Sequence, residues 1–107
     1  MNENQVPEFL KPIYKSDPEL YNMLFKTMNF AHAEGGALEP KYKHLLSMVA
    51  DALCNHPGGT VACARAAMEA GATAEQVKEA MRVVFSAGGM PMVIENMDVY
   101  SQILSSK

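Results

Sequence analysis

Apolar residues recur along this 107-residue chain at three- and four-residue steps, and breaks rich in Gly and Pro separate the runs. Val6, Phe9, Leu10, Ile13 and Tyr14 follow helical spacing interrupted by Pro12, which predicts a short helix or turn within residues 1–16. Ser16-Asp17-Pro18-Glu19 then reads as a helix start: Asp17 can accept N–H bonds as N-cap, Pro18 suits the first helical position, and Glu19 complements the dipole. This helix is expected to run to about His32, burying Leu20, Tyr21, Leu24, Phe25, Met28 and Phe30, and to end before Gly35-Gly36.

Leu38-Glu39-Pro40 opens the next helix, whose core stripe is Tyr42, Leu45, Leu46, Val49 and Leu53 as far as Cys54. Pro57-Gly58-Gly59 breaks the pattern. Thr60 is expected to cap a helix reaching Ala70, with Gly71 in the left-handed position beyond it. Its alanines leave room for neighbouring backbones, so it should be buried or interfacial. Thr73-Ala74-Glu75-Gln76 is a capping box that starts a helix with Val77, Met81, Val84 and Phe85 inward. After Ala87-Gly88-Gly89-Met90-Pro91, a last helix is expected from about Pro91 to about Leu104, with Val93, Ile94, Met97, Tyr100, Ile103 and Leu104 along one side. No segment alternates with period two, so the pattern predicts an all-α fold of about five to six helices in one domain, residues 1–107.

Composition narrows the function classes. Nine Lys and Arg against twelve Asp and Glu give a net charge of −3 without a basic block, which argues against nucleic acid as a partner. Charge interrupts every apolar run before it reaches membrane-spanning length, and Met1-Asn2-Glu3-Asn4-Gln5 has no signal-peptide character, so a cytoplasmic protein with no membrane partner is expected. In that compartment two cysteines are normally reduced. Nine methionines and no tryptophan make the apolar content soft, suited to core filling or to an adaptable groove.

The chemistry concentrates between Cys54 and Cys63, which include both cysteines and His56, one of three histidines. Cys63, placed in the first turn of its helix, would have its thiol pKa lowered by the helix dipole, or would be a small core residue. His56, in the turn, suits a proton carrier or a solvated loop residue. His44 lies on the central helix as a surface or pocket residue, and His32 suits a dipole partner at a helix C-terminus. Cys54 could pair with Cys63 in thiol redox chemistry if the turn brings them within reach. Cys54, His56, Cys63 and His44 are suitable metal-ligand types, yet Cys-x-His-x6-Cys matches no recognised zinc spacing, so neither metal nor cofactor is expected.

From Leu38 to Val93 the chain resembles the carboxymuconolactone decarboxylase family, which includes the alkyl hydroperoxidase D-like proteins. The resemblance is carried by Leu38-Glu39-Pro40-Lys41-Tyr42-Lys43, by Ala64-Arg65-Ala66-Ala67-Met68-Glu69-Ala70-Gly71-Ala72-Thr73 with Glu75 and Val77, and by Ser86-Ala87-Gly88-Gly89-Met90-Pro91. It implies an all-helical fold, a trimer or hexamer, and a small-molecule substrate. The family's peroxidase branch uses a Glu, a Cys-x-x-Cys pair and a His. Counting back from Gly71, those positions carry His44, His56, Gly59 and Cys63, so this chain is a divergent member without the Cys-x-x-Cys motif. The resemblance therefore implies a pocket lined by Cys63, His56 and His44, suited to decarboxylase or lactone-type acid–base chemistry. Thiol redox through Cys54 and Cys63, and a non-catalytic oligomeric binding module, are the alternative functions.

Overall fold

The computed structural model describes residues 2–105 and divides the chain into two units, Met1–Ala33 and Glu34–Lys107. All regular structure among the described residues is helical. In the first unit, two 3₁₀ turns, Glu3–Gln5 and Glu8–Leu10, lead into α1 (Lys11–Ser16) and α2 (Pro18–Ala31). Asp17 caps α2 as its residue type predicts, with its carboxylate accepting from the Leu20 N–H at 3.1 Å. The expected buried face of α2 is mostly absent. Tyr21 alone is buried along this helix, packed edge-on against Tyr14 and stacked near Phe25, whereas Leu20, Phe25, Met28 and Phe30 are exposed, Phe30 at 86%. The short α1 and two single turns offer too little surface to cover a fourteen-residue amphipathic helix.

The second unit contains α3 (Pro40–Leu53), α4 (Pro57–Glu69), α5 (Ala74–Gly88) and α6 (Met90–Glu95), followed by a π-helical segment at Val99–Leu104. Its core joins Met48 and Ala52 of α3, Val61 and Ala64 of α4, Val77, Met81 and Val84 of α5, and Val99. The inward face of α3 is therefore rotated from the expected stripe: Met48 and Ala52 are buried, whereas Tyr42, Leu46 and Leu53 are exposed. The alanines of α4 explain this phase. Ala64 and Ala67 are fully buried, and small side chains there let α3 and α4 approach closely. The reciprocal capping box at Thr73 and Gln76 forms as predicted, and Gly71 takes the left-handed conformation at φ +109°.

The last expected helix does not run unbroken to Leu104. It stops at Glu95, where Asn96, fully buried, donates its amide to the Met92 carbonyl at 2.7 Å and to the Ala52 carbonyl at 3.3 Å. A buried amide that satisfies a carbonyl at the end of α3 outweighs continuation of the apolar stripe.

Candidate active site

The site is built on the link between α3 and α4. Three residues, Cys54, Asn55 and His56, reverse the chain. Asn55 has φ 57°, the left-handed conformation that Asn tolerates better than most side chains. The Asn55 N–H then bonds the Ala52 carbonyl at 3.1 Å and the His56 N–H bonds the Asp51 carbonyl at 2.9 Å, the paired bonds of a Schellman motif. This local backbone chemistry sets His56 directly beside the last turn of α3, where Asp51 projects.

α4 begins at Pro57, with His56 as its N-cap residue, and not at a Thr60 cap. Pro57 suits the first helical position because it lacks the N–H that would be orphaned there. Thr60 is instead fully buried inside the helix, its hydroxyl donating to the His56 carbonyl at 3.0 Å. The earlier start moves Cys63 into the second turn of α4. His56, Gly59 and Cys63 then follow three- and four-residue steps and share the face that meets α3.

Asp51 connects them. Its carboxylate oxygens lie 3.7 Å from His56 Nδ1 and 3.5 Å from Cys63 Sγ, the thiol donating. The first distance is too long for a hydrogen bond and short enough for attraction between a carboxylate and an imidazolium. Nδ1 is the ring nitrogen that approaches Asp51, and the His56 side chain is 70% exposed. Gly59 supplies the room. A Cβ at Gly59 would lie 2.5 Å from Asp51 Oδ2 and 2.9 Å from His56 Nδ1, whereas one at Gly58 would meet nothing within 4 Å.

The electrostatics of Cys63 are the reverse of those expected for a first-turn cysteine. Burial, then the Asp51 charge and the hydrogen bond to Asp51, push its thiol from the ordinary 9.0 up to about 11. The favourable field at a helix N-terminus fades within the first turn, and here a carboxylate faces the sulfur. Cys63 is accordingly a neutral thiol near pH 7 and a poor nucleophile.

The structure thus brings His56 and Cys63 together through Asp51. His44 lies half-buried on α3, two turns before Asp51 and on the same helical face, about 10 Å along the axis from it. Cys54, at the C-cap of α3, is an exposed free thiol, and Cys63 is free as well. Among the described residues no group of three His, Cys, Asp or Glu side chains is arranged to hold a metal ion. The sequence reading overlooked Asp51. The signal was present: Asp51 is the only acidic residue between Glu39 and Glu69, set in an otherwise apolar end of a helix.

The carboxymuconolactone decarboxylase family model matches residues 18–99. A crystal structure of a Burkholderia xenovorans LB400 protein assigned as a carboxymuconolactone decarboxylase superposes with a TM-score of 0.76 at 31% identity, covering 85% of this chain and 71% of that one. No functionally curated protein matches the chain. The order of helices, the shared fold and a match over most of the sequence agree: this chain belongs to the carboxymuconolactone decarboxylase family.

Proposed function

We propose that the protein is an enzyme that acts by proton transfer on a small carboxylated, lactone-type molecule, with His56, Cys63 and His44 lining the site and Asp51 joining the first two. The observation that carries this reading is the single carboxylate held against both His56 Nδ1 and Cys63 Sγ in space kept open by Gly59. Removal of carbon dioxide from such a lactone breaks the bond to the carboxylate carbon and sends the bonding pair into the conjugated lactone carbonyl. The resulting enolate takes a proton on carbon. His56, in its imidazolium form, supplies that proton and recovers one from water; carbon dioxide and the lactone protonated on carbon are the products, and the hydroxide left from water combines with carbon dioxide as bicarbonate. Cys63, in its acid form, donates to Asp51 and fixes the carboxylate that orients His56; the alternative of thiol redox chemistry fits poorly with a thiol pKa of about 11.

The exposed apolar side chains of α2, α3 and α6, among them Phe30, Leu46 and Ile94, support the further reading that the protein works as a homo-oligomer, a trimer or hexamer. The test is carbon dioxide release from carboxymuconolactone by the purified protein in its native assembly, expected at three or six times the 11.7 kDa chain mass. Turnover by the wild type and a roughly tenfold loss in Cys63→Ala are the expected results. Absence of turnover, or full activity without the thiol, contradicts the acid–base reading, and a monomeric mass contradicts the assembly.

A further inference from the structure

A cleft lies between α5 and the π-helical segment, lined by none of Asp51, His56 and Cys63. It is an open, shallow cleft of about 360 Å³ lined by Lys78, Arg82, Tyr100, Leu104 and Ser105. Lys78 and Arg82 are one turn apart on α5, and Tyr100 and Leu104 stand four residues apart on the facing segment. The two walls differ in chemistry, one cationic and one apolar with an aromatic ring.

The charges on the cationic wall are not equivalent. Lys78 Nζ is engaged by Glu75 Oε2 at 3.0 Å, and that contact, with Arg82 adding to it, holds the Glu75 carboxyl below its usual range. Arg82, by contrast, makes no ion pair within 4.0 Å among the described residues, and no hydrogen bond to the Tyr100 hydroxyl is found among them either. Ser105 is committed, its hydroxyl donating to the Tyr100 carbonyl at 2.7 Å. Among the described residues, then, the cleft is lined by a guanidinium that makes no ion pair within 4.0 Å and by a phenol, with Leu104 beside them.

We propose that this cleft binds a small organic monocarboxylate with a ring-sized apolar body. The planar guanidinium of Arg82 matches a carboxylate in two parallel hydrogen bonds, and the Tyr100 hydroxyl adds a third donor. Glu75 pairs with Lys78, which leaves Arg82 as the cation of this wall without an ion pair within 4.0 Å among the described residues, and a single such guanidinium suits a monoanion better than a phosphate dianion. Leu104 and Tyr100 take the apolar body, and the volume lies at the small end of ligand pockets. The π-helical turn presents these two side chains on one face, a departure from α-helix that recurs at functional positions. None of these residues belongs to the Asp51 cluster, so the inference stands whether or not that cluster is catalytic.

The test is a titration of the full ¹⁵N-labelled chain with sodium benzoate, followed by amide shifts, with sodium acetate and inorganic phosphate run alongside. Saturable shifts confined to residues 78–82 and 99–105 are expected, with acetate weaker for lack of a ring. Arg82→Gln should weaken benzoate about tenfold, while Arg65→Gln, the same charge change on exposed α4 surface, should leave it unchanged. Shifts that do not saturate, equal weakening in both variants, or phosphate binding more tightly than benzoate would each overturn the proposal.

Discussion

Gly59→Ala is expected to lower turnover of a carboxylated lactone about 100-fold, as far as His56→Ala does, while Gly58→Ala stays within about twofold of wild type. The two glycines are adjacent in the first turn of the same helix, and replacing either by alanine favours the helix by up to about 1 kcal/mol. They differ in what a methyl group would touch. At Gly58 it enters open space; at Gly59 it lies 2.5 Å from the Asp51 carboxylate and 2.9 Å from His56 Nδ1. The atoms in the way belong to side chains, so the fold relaxes by swinging Asp51 and His56 aside. What is lost is their mutual placement. Parallel measurements of kcat/KM and of thermal unfolding check this: activity should fall at Gly59 with the unfolding temperature within a few degrees of wild type. Equal activity in the two glycine variants would show that the spacing around Asp51 has no catalytic consequence.

The largest expected stability effect lies elsewhere. Met81→Ala should destabilise the protein by about 2–5 kcal/mol, because Met81 is fully buried among Met48, Val77, Val84 and Val99 in the core of the second unit. A chain of this size has a total stability of only about 5–15 kcal/mol, so the change should appear as a drop of roughly 10 °C or more in unfolding temperature. Glu79→Ala, exposed on the outer face of α5, should shift it by about 0.5 kcal/mol or less. Urea unfolding of both variants gives the comparison. A small loss at Met81 would mean that the surrounding side chains collapse into the vacated space.

Local signals in the sequence predicted local structure well. Asp17, Pro18, Thr73, Gln76 and Gly71 act through bonds or dihedral angles within a few residues of themselves, and each plays its expected part. Burial was less legible because it depends on what packs opposite. The stripe on α2 is helical as its spacing requires, yet Met28 and Phe30 stay exposed, and on α3 the inward face centres on Met48 and Ala52. The glycines of α4 show the same limit. Pro57-Gly58-Gly59 reads as a break by residue type, but Pro57 is tolerated at a helix start, and Gly59 is needed for its absent side chain more than for its freedom of backbone.

The candidate site was half legible. The residues from Cys54 to Cys63 marked the place, and the family resemblance assigned His56 and Cys63 to it. Asp51 escaped because its part depends on the Schellman turn at Asn55, which turns His56 back toward α3, and on the start of α4 at Pro57, which aligns Gly59 and Cys63 on the facing side. The same one-turn displacement reversed the expected effect on the thiol, replacing a favourable helix end by burial and a neighbouring carboxylate.

That reversal makes the account directly measurable through the rate at which iodoacetamide alkylates Cys63 as a function of pH, read by mass spectrometry of its peptide, with exposed Cys54 as internal reference. With a pKa of about 11, Cys63 is thiolate to only about one part in a thousand at pH 8 and should react far more slowly than Cys54, its rate still rising above pH 10. Asp51→Asn removes the negative charge that helps hold the proton and leaves at most a weaker, neutral acceptor, so the Cys63 profile should move to lower pH. A Cys63 that reacts as fast as Cys54 at pH 8, or whose profile ignores Asp51→Asn, would contradict the claim that Asp51 binds His56 and Cys63 into one site.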